Sequence, residues 1–108
     1  MATPSRLLLT GRVGAEPEVK TTQSGKKMAR VRLATTYKDF DETTQSVVDK
    51  TQWHTVVFWE ELANLAERHI HKGVKIFVEG YPQKREYFDS LGEKRTAEQI
   101  NAVGFSIK

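Results

Sequence analysis

Cysteine is absent from all 108 residues, which excludes disulfides and thiolate zinc sites and fits a reducing interior. Long apolar runs are absent too, so no segment reads as a helical membrane span. The opening Met1-Ala2-Thr3-Pro4-Ser5-Arg6-Leu7 lacks the charged-then-apolar pattern of a leader, and the protein is expected to stay in the compartment where it is made. No internal repeat is visible. A chain of this length is expected to form one domain over residues 1–108, with one core and no room for a second. Hydrophobic residues at 38% and charged residues at 29% argue for a globular protein rather than a disordered or fibrous one.

The net charge of +3 is unevenly spread. Residues 1–36 carry seven Lys/Arg (Arg6, Arg12, Lys20, Lys26, Lys27, Arg30, Arg32) against Glu16 and Glu18, a local balance of +5. From 37 to 52 the sign reverses, with Lys38 and Lys50 against Asp39, Asp41, Glu42 and Asp49. A basic stripe of this kind can track phosphates, although charge alone favours the plainer reading of a solvated surface.

The run TQWHTVVFW, Thr51 to Trp59, carries the strongest signal. Strand alternation puts Trp53, Thr55, Val57 and Trp59 on one face and His54, Val56 and Phe58 on the other. Both faces are largely apolar. One must line a core, and two indoles on the other face of a basic chain form a platform for flat, unpaired bases.

The remaining pattern supplies a barrel. Arg6 to Val13 reads as a strand, Glu16-Pro17-Glu18 as a connecting loop, and Ala29, Val31 and Leu33 as the buried face of a second strand. Tyr37 to Lys50 reads as a long loop or a flexible hairpin extension. Leu62, Leu65, Ala66, His69 and Ile70 follow helical spacing, with Gly73 expected to take a left-handed cap. Val74 to Tyr81 predicts a strand, Lys84 to Phe88 and Lys94 to Glu98 a second hairpin, and Ile100 to Ile107 a final strand. Phe58, Phe77 and Phe105 are expected in the core. The fold class is therefore all-β with one helix, and the element order is that of a five-stranded Greek-key OB-fold barrel with extended hairpin loops.

Four segments, LTGRVGAEPEV, GKKMARVRLAT, TQWHTVVFWEELA and KGVKIFVEG, occur in an order that resembles the bacterial and mitochondrial single-stranded DNA-binding protein (SSB) family. The resemblance implies an OB fold, sequence-tolerant binding of single-stranded DNA in replication, recombination or repair, and assembly as a homotetramer, a dimer of dimers. It also implies a cytoplasmic, nucleoid-associated protein, with a mitochondrial-type alternative. Trp53 and Trp59 match family positions where aromatics stack on bases, and Tyr87 matches a tryptophan position. Asp39 stands where the family often has a further tryptophan, flanked here by Tyr37 and Phe40, either of which is a candidate replacement. Pro82 and Gln83 also depart from the usual pattern, and both departures imply altered DNA contacts. His54 matches a histidine at a subunit contact, whereas a lone histidine facing Val56 and Phe58 also reads as a hydrogen-bonded structural residue. The sequence ends at Lys108 without the acidic tip through which bacterial members recruit repair and replication proteins, so tail-mediated partners are not expected.

Stacking on an aromatic side chain is worth about 1–3 kcal/mol per base whatever its identity. The stacking candidates are Trp53, Trp59, Tyr87, and one of Tyr37 or Phe40. The phosphate candidates are Arg6, Arg12, Lys20, Lys26, Arg30, Arg32, Lys84, Arg85 and Arg95. Arg85 shares a strand face with Tyr87, and Arg30 and Arg32 project away from Val31 and Leu33.

Catalysis finds little support. His69 and His71 stand about 200° apart on a helix and cannot share a metal. Ser24-Gly25-Lys26-Lys27 lacks the first glycine and the following helix of a phosphate loop, and the adjacent Glu60 and Glu61 point apart. No enzyme activity, cofactor or metal is expected. Two rivals to the DNA reading stay open: an OB protein-interaction or replication-restart module with weak DNA binding, and an RNA-binding OB protein.

Overall fold

Ala29, Val31 and Leu33 alternate with Arg30 and Arg32, and in the computed structural model, which describes residues 6–108, they form the centre of strand β3 (Lys27–Asp41). The three apolar side chains are fully buried, and the strand period of two leaves both arginines on the outer face. Strand β4 (Ser46–Trp59) runs back antiparallel along the whole of β3, from Asp41↔Ser46 to Met28↔Trp59.

Around this ribbon stand β1 (Leu7–Val13), β2 (Glu18–Thr21), the helix α1 (Glu61–His69), β5 (Lys75–Phe88) and β6 (Lys94–Ile107). The strand order is β1-β5-β6-β4-β3-β2, and β1 pairs additionally with β3, which closes the sheet into a barrel. β1 and β2 lie along the same edge of β3, Val13 opposite Leu33 and Glu18 opposite Arg30, so they are two segments of one barrel strand interrupted at residues 14–17. The result is a closed five-stranded barrel of the OB type with one helix. At the closure Gly11 is required, because a Cβ there would collide with the carbonyl oxygen of Ala34 where β1 crosses β3.

The core fills from every strand of the barrel. Val13, Val31, Leu33, Val56, Phe58, Ile76, Val78 and Ile100 meet there, and α1 adds Ala63 and Ala66, with Ile70 just beyond its end. Phe58 is closed off on one side by the edge of Phe105, their ring centroids 5.2 Å apart at 76°. Phe77, expected in the core, lies instead on the outer face of β5, because Ile76 and Val78 take the inward positions. The Lys108 ammonium sits 5.3 Å from its ring centroid.

Other expectations change as well. The connecting loop expected at Glu16-Pro17-Glu18 is present at residues 14–17, but Glu18 already belongs to β2, a short strand not expected from the sequence. Of the two readings of Tyr37 to Lys50, the hairpin extension rather than the loop is the one found, a two-stranded arm turning at residues 42–45. Its cross-strand ion pairs, Lys38 with Asp49 and Lys50 with Asp39, sit on opposite faces of the ribbon and hold a segment that buries almost nothing. β5 is one strand through Pro82, not two. Its pairing with β6 runs on through Pro82↔Ile100 to Phe88↔Lys94. α1 ends at Ile70, whose backbone turns extended as its side chain enters the core, and Gly73 (φ 89°) serves the following turn instead of capping the helix.

β4 and β6 pair only at Val56↔Ile100 and Val57↔Asn101 among the described residues, in parallel. Beyond that bridge the β3–β4 and β5–β6 hairpins diverge as two arms with a cleft between them. The second arm ends in a tight turn, where the Asp89 carboxylate accepts the N–H groups of Leu91 and Glu93 and the Arg95 Nε–H, each at 2.9 Å. The Arg95 hydrogen bond, helped by the Glu93 N–H, lowers the Asp89 pKa below the ordinary carboxylate value.

Candidate nucleic-acid interface

The outer face of β4 carries Trp53, Thr55, Val57 and Trp59, opposite Ala34, Arg32, Arg30 and Met28 of β3. This face is not uniform. Val57 is fully buried, Trp59 is half-buried, and Trp53 stands 50% exposed. The two indoles are six residues apart, about 20 Å along the strand at its ordinary rise.

Trp53 is held by two neighbours. A Cβ built on Gly14 would run into Cζ3 and Cη2 of the indole, while Cε3 lies 3.7 Å from that point, so the ring stands with its benzo edge against the glycine and Gly14 covers neither face. Over one face lies the guanidinium of Arg32, 5.5 Å from the ring centroid. The arrangement offers an aromatic plane with a fixed edge and a cation at one face. Arg32 has no acidic partner among the described residues.

The sequence candidates separate by face. Phe40 shares strand parity with Trp53, whereas Tyr37 sits on the opposite face with His54 and Gln52. Both are exposed. On β5, Tyr87 and Arg85 share the outer face as expected, with the Arg85 guanidinium 5.8 Å from the ring centroid, and Lys84 points to the other face opposite Glu98. Arg30, Arg32, Thr55, Arg85, Ala97, Glu98 and Gln99 line a cleft of ≈ 200 Å³ between β4 and β6, which brings the arginines of two separate hairpins together around one carboxylate.

Several basic candidates are engaged by acids. Arg6 bonds to Glu79 and the Tyr81 hydroxyl, Lys20 and Arg30 flank Glu18, and Arg95 is held by Asp89 and Glu93. Arg12 donates to the Gly73 carbonyl at 3.1 Å. It also lines a second groove of ≈ 390 Å³ with Ala34, Thr36, Thr51 and Lys75, which extends the Trp53 face toward the first arm. Lys26 is exposed at the β2–β3 turn. Arg32, Arg85, Lys26 and Lys84 have no carboxylate partner among the described residues.

His54 lies opposite Leu33, with its Nε2 2.9 Å from the Thr35 hydroxyl. Partial burial lowers its pKa below the ordinary histidine value, which favours the neutral ring.

Residues 4–107 match the sequence profile described as the single-strand binding protein family. The chain belongs to the single-strand binding protein family. It is 36% identical over 103 residues to the single-stranded DNA-binding protein of Rhizobium meliloti, a match that covers 94% of this chain and 59% of that protein. The Rickettsia typhi single-stranded DNA-binding protein is 35% identical over 103 residues, covering 94% of this chain and 68% of its own length. Among solved structures, a Plasmodium falciparum SSB in complex with ssDNA superposes with a TM-score of 0.85 at 26% identity, covering 100% of this chain and 99% of that one. The family assignment agrees with the barrel, the two arms and the aromatic outer face.

Sequence reasoning did not single out Gly14, Lys75, Gln99 or Asn101. Gly14 was legible only as a strand breaker, since its role is to leave space for an indole distant in sequence. Gln99 and Asn101 do alternate at strand spacing, but uncharged amides leave no mark on the charge pattern.

Proposed function

We propose that this SSB-family chain binds single-stranded DNA without strong sequence preference, stacking bases on Trp53, Trp59, Phe40 and Tyr87 and meeting phosphates with Arg32, Arg85 and their basic neighbours. The observation that carries the reading is the outer face on which Trp53, Arg32 and Arg85 converge between two diverging arms. Stacking is indifferent to base identity, and cations meet a backbone common to all sequences, so the arrangement supports affinity with little sequence choice. Binding of this kind shields unpaired DNA and needs no chemistry on it. The reading places the protein in replication, recombination or repair, at the nucleoid of the cytoplasm. No helix among the described residues is long and apolar enough to cross a membrane.

The binding unit is proposed to be one OB domain over residues 1–108, assembled as a homotetramer with His54 near a subunit contact. The names of the relatives and the ssDNA complex of the structural neighbour support the ligand. Fluorescence anisotropy with a labelled oligo-dT tests it, with duplex DNA and a matched RNA as competitors. The DNA single strand should compete far better than duplex and better than RNA. Equal competition by duplex would overturn the reading, and stronger competition by RNA would reassign the ligand.

A further inference from the structure

Three amide side chains meet on the outer face of the β5–β6 arm. Gln99 Nε2 donates to Gln83 Oε1 at 3.3 Å and lies 3.4 Å from Asn101 Oδ1, and Asn101 Nδ2 donates to Gln83 Oε1. Register explains the meeting, since Gln83 pairs with Gln99 and Asn101 lies two residues further along the same face. The network couples the three orientations, because reversing any one amide alone would set donor against donor or acceptor against acceptor. It also leaves two groups over. Among the described residues no donor reaches Gln99 Oε1, and no acceptor receives the two hydrogens of Gln83 Nε2.

Gln99 occupies a particular place. It lines the ≈ 200 Å³ cleft with Arg30, Arg32, Thr55 and Arg85, and also the adjoining cleft of ≈ 410 Å³ beside Trp53. In the smaller cleft the side chain opposite Arg85 is only Ala97, which leaves open space between the guanidiniums and the amide. Glu98 also lines both clefts and Arg30 is engaged by Glu18. Arg32 and Arg85, however, have no acidic partner among the described residues, and together with the free Gln99 carbonyl and Gln83 amino group they match a nucleotide whose phosphate and base edge are both accessible.

We propose that Gln83, Gln99 and Asn101 form an edge-binding subsite for one unpaired base, with the neighbouring phosphate met by Arg32 and Arg85. This rests on the single-stranded DNA reading above and adds to stacking a hydrogen-bonded contact. Every base presents a donor beside an acceptor on its pairing edge: N3–H and O4 in thymine, N4–H and N3 in cytosine, N6–H and N1 in adenine, N1–H and O6 in guanine. A fixed acceptor–donor pair therefore engages an open edge without selecting one base. Duplex DNA has no such edge free, so the subsite contributes to the choice of single strands over paired ones.

The test uses two oligomers of equal length, oligo-dT and oligo-N3-methyl-dT, with the full chain and with Gln83→Leu and Gln99→Leu. Methylation at N3 removes the edge donor and keeps the aromatic face and the backbone. The unaltered protein should bind the methylated strand about tenfold more weakly, the size expected for losing one well-placed pair of hydrogen bonds. Each Leu variant should bind oligo-dT at the reduced level and no longer distinguish the two strands. Gln83 is exposed, so its replacement supplies a variant whose folding does not depend on burial. Equal affinity of the unaltered protein for both strands would overturn the subsite, and so would full discrimination retained by the variants. Failure to bind oligo-dT at all would instead overturn the single-stranded DNA reading on which the subsite rests.

Discussion

Gly14 and Trp53, thirty-nine positions apart in the chain, share one small volume: the benzo edge of the indole occupies the space that any side chain at position 14 would need. The backbone at Gly14 has no positive φ, so glycine is needed there for the space it leaves rather than for its conformational freedom.

Gly14→Ala should therefore leave the barrel folded and displace the indole. With one stacking platform moved, affinity for oligo-dT should fall about tenfold, within the range of one base–aromatic contact. Anisotropy titration and a thermal melt together check this. An unchanged affinity would mean that the seating of Trp53 on Gly14 has no part in binding.

Arg32 lies over that same indole and has no acidic partner among the described residues. Arg32→Ala should weaken binding alike for oligo-dT, oligo-dC and mixed sequences. The slope of log K against log salt should become shallower by about 0.7, the value for one phosphate contact on a single strand. A variant with an unaltered slope would remove Arg32 from the phosphate contacts.

Phe40 and Tyr37 are both exposed aromatics of the first arm, but parity puts only Phe40 on the Trp53 face. Phe40→Ala should cost about 1–3 kcal/mol in binding, and Tyr37→Ala much less. The reverse ranking by anisotropy would show that the arm presents its other face to the strand.

His54 makes stability depend on pH with a definite sign. Its folded pKa is lowered by partial burial relative to 6.5, so as the pH falls below that value the unfolded chain takes up a proton that the folded chain resists. The stabilising contribution is present above about 6.5 and is lost progressively as the pH drops toward the folded pKa. Urea denaturation of the unaltered protein and of His54→Gln should give a stability difference that shifts against histidine over that window and is constant above it. The same residue is proposed to lie near a subunit contact. Light scattering of His54→Ala on dilution should show dissociation at higher concentration than in the unaltered protein, and an unchanged mass would remove His54 from the subunit contact.

Much of this molecule could be read from strand alternation. Trp53, Trp59 and the inward Val56 and Phe58 fall on the faces that a period of two assigns them, because a half-buried strand writes its environment directly into its residues. The second arm was legible as a hairpin, but the first was only partly so. Residues 37–50 pair along their length through backbone bonds and cross-strand ion pairs while burying little, and an acidic strand without a buried face looks like a loop. Pro82 also looked like a break, because a proline usually ends a strand, whereas here the pairing with β6 continues through it. Phe77 shows the opposite error, where an apolar residue type outweighed its outward position between Ile76 and Val78. At the binding face, residue types pointed to the aromatics and arginines, but the pairing of Arg32 with Trp53, the convergence of Arg30 with Arg85 and the amide network of Gln99 arise from register between strands distant in sequence.

The central claim is that Trp53 stacks on unpaired bases. Trp59→Phe leaves Trp53 as the only tryptophan, since the chain contains two. Its fluorescence should be strongly quenched on titration with oligo-dT at low salt, recover as salt is raised, and be unaffected by duplex DNA. A folded protein whose Trp53 emission does not change with saturating oligo-dT would contradict the account.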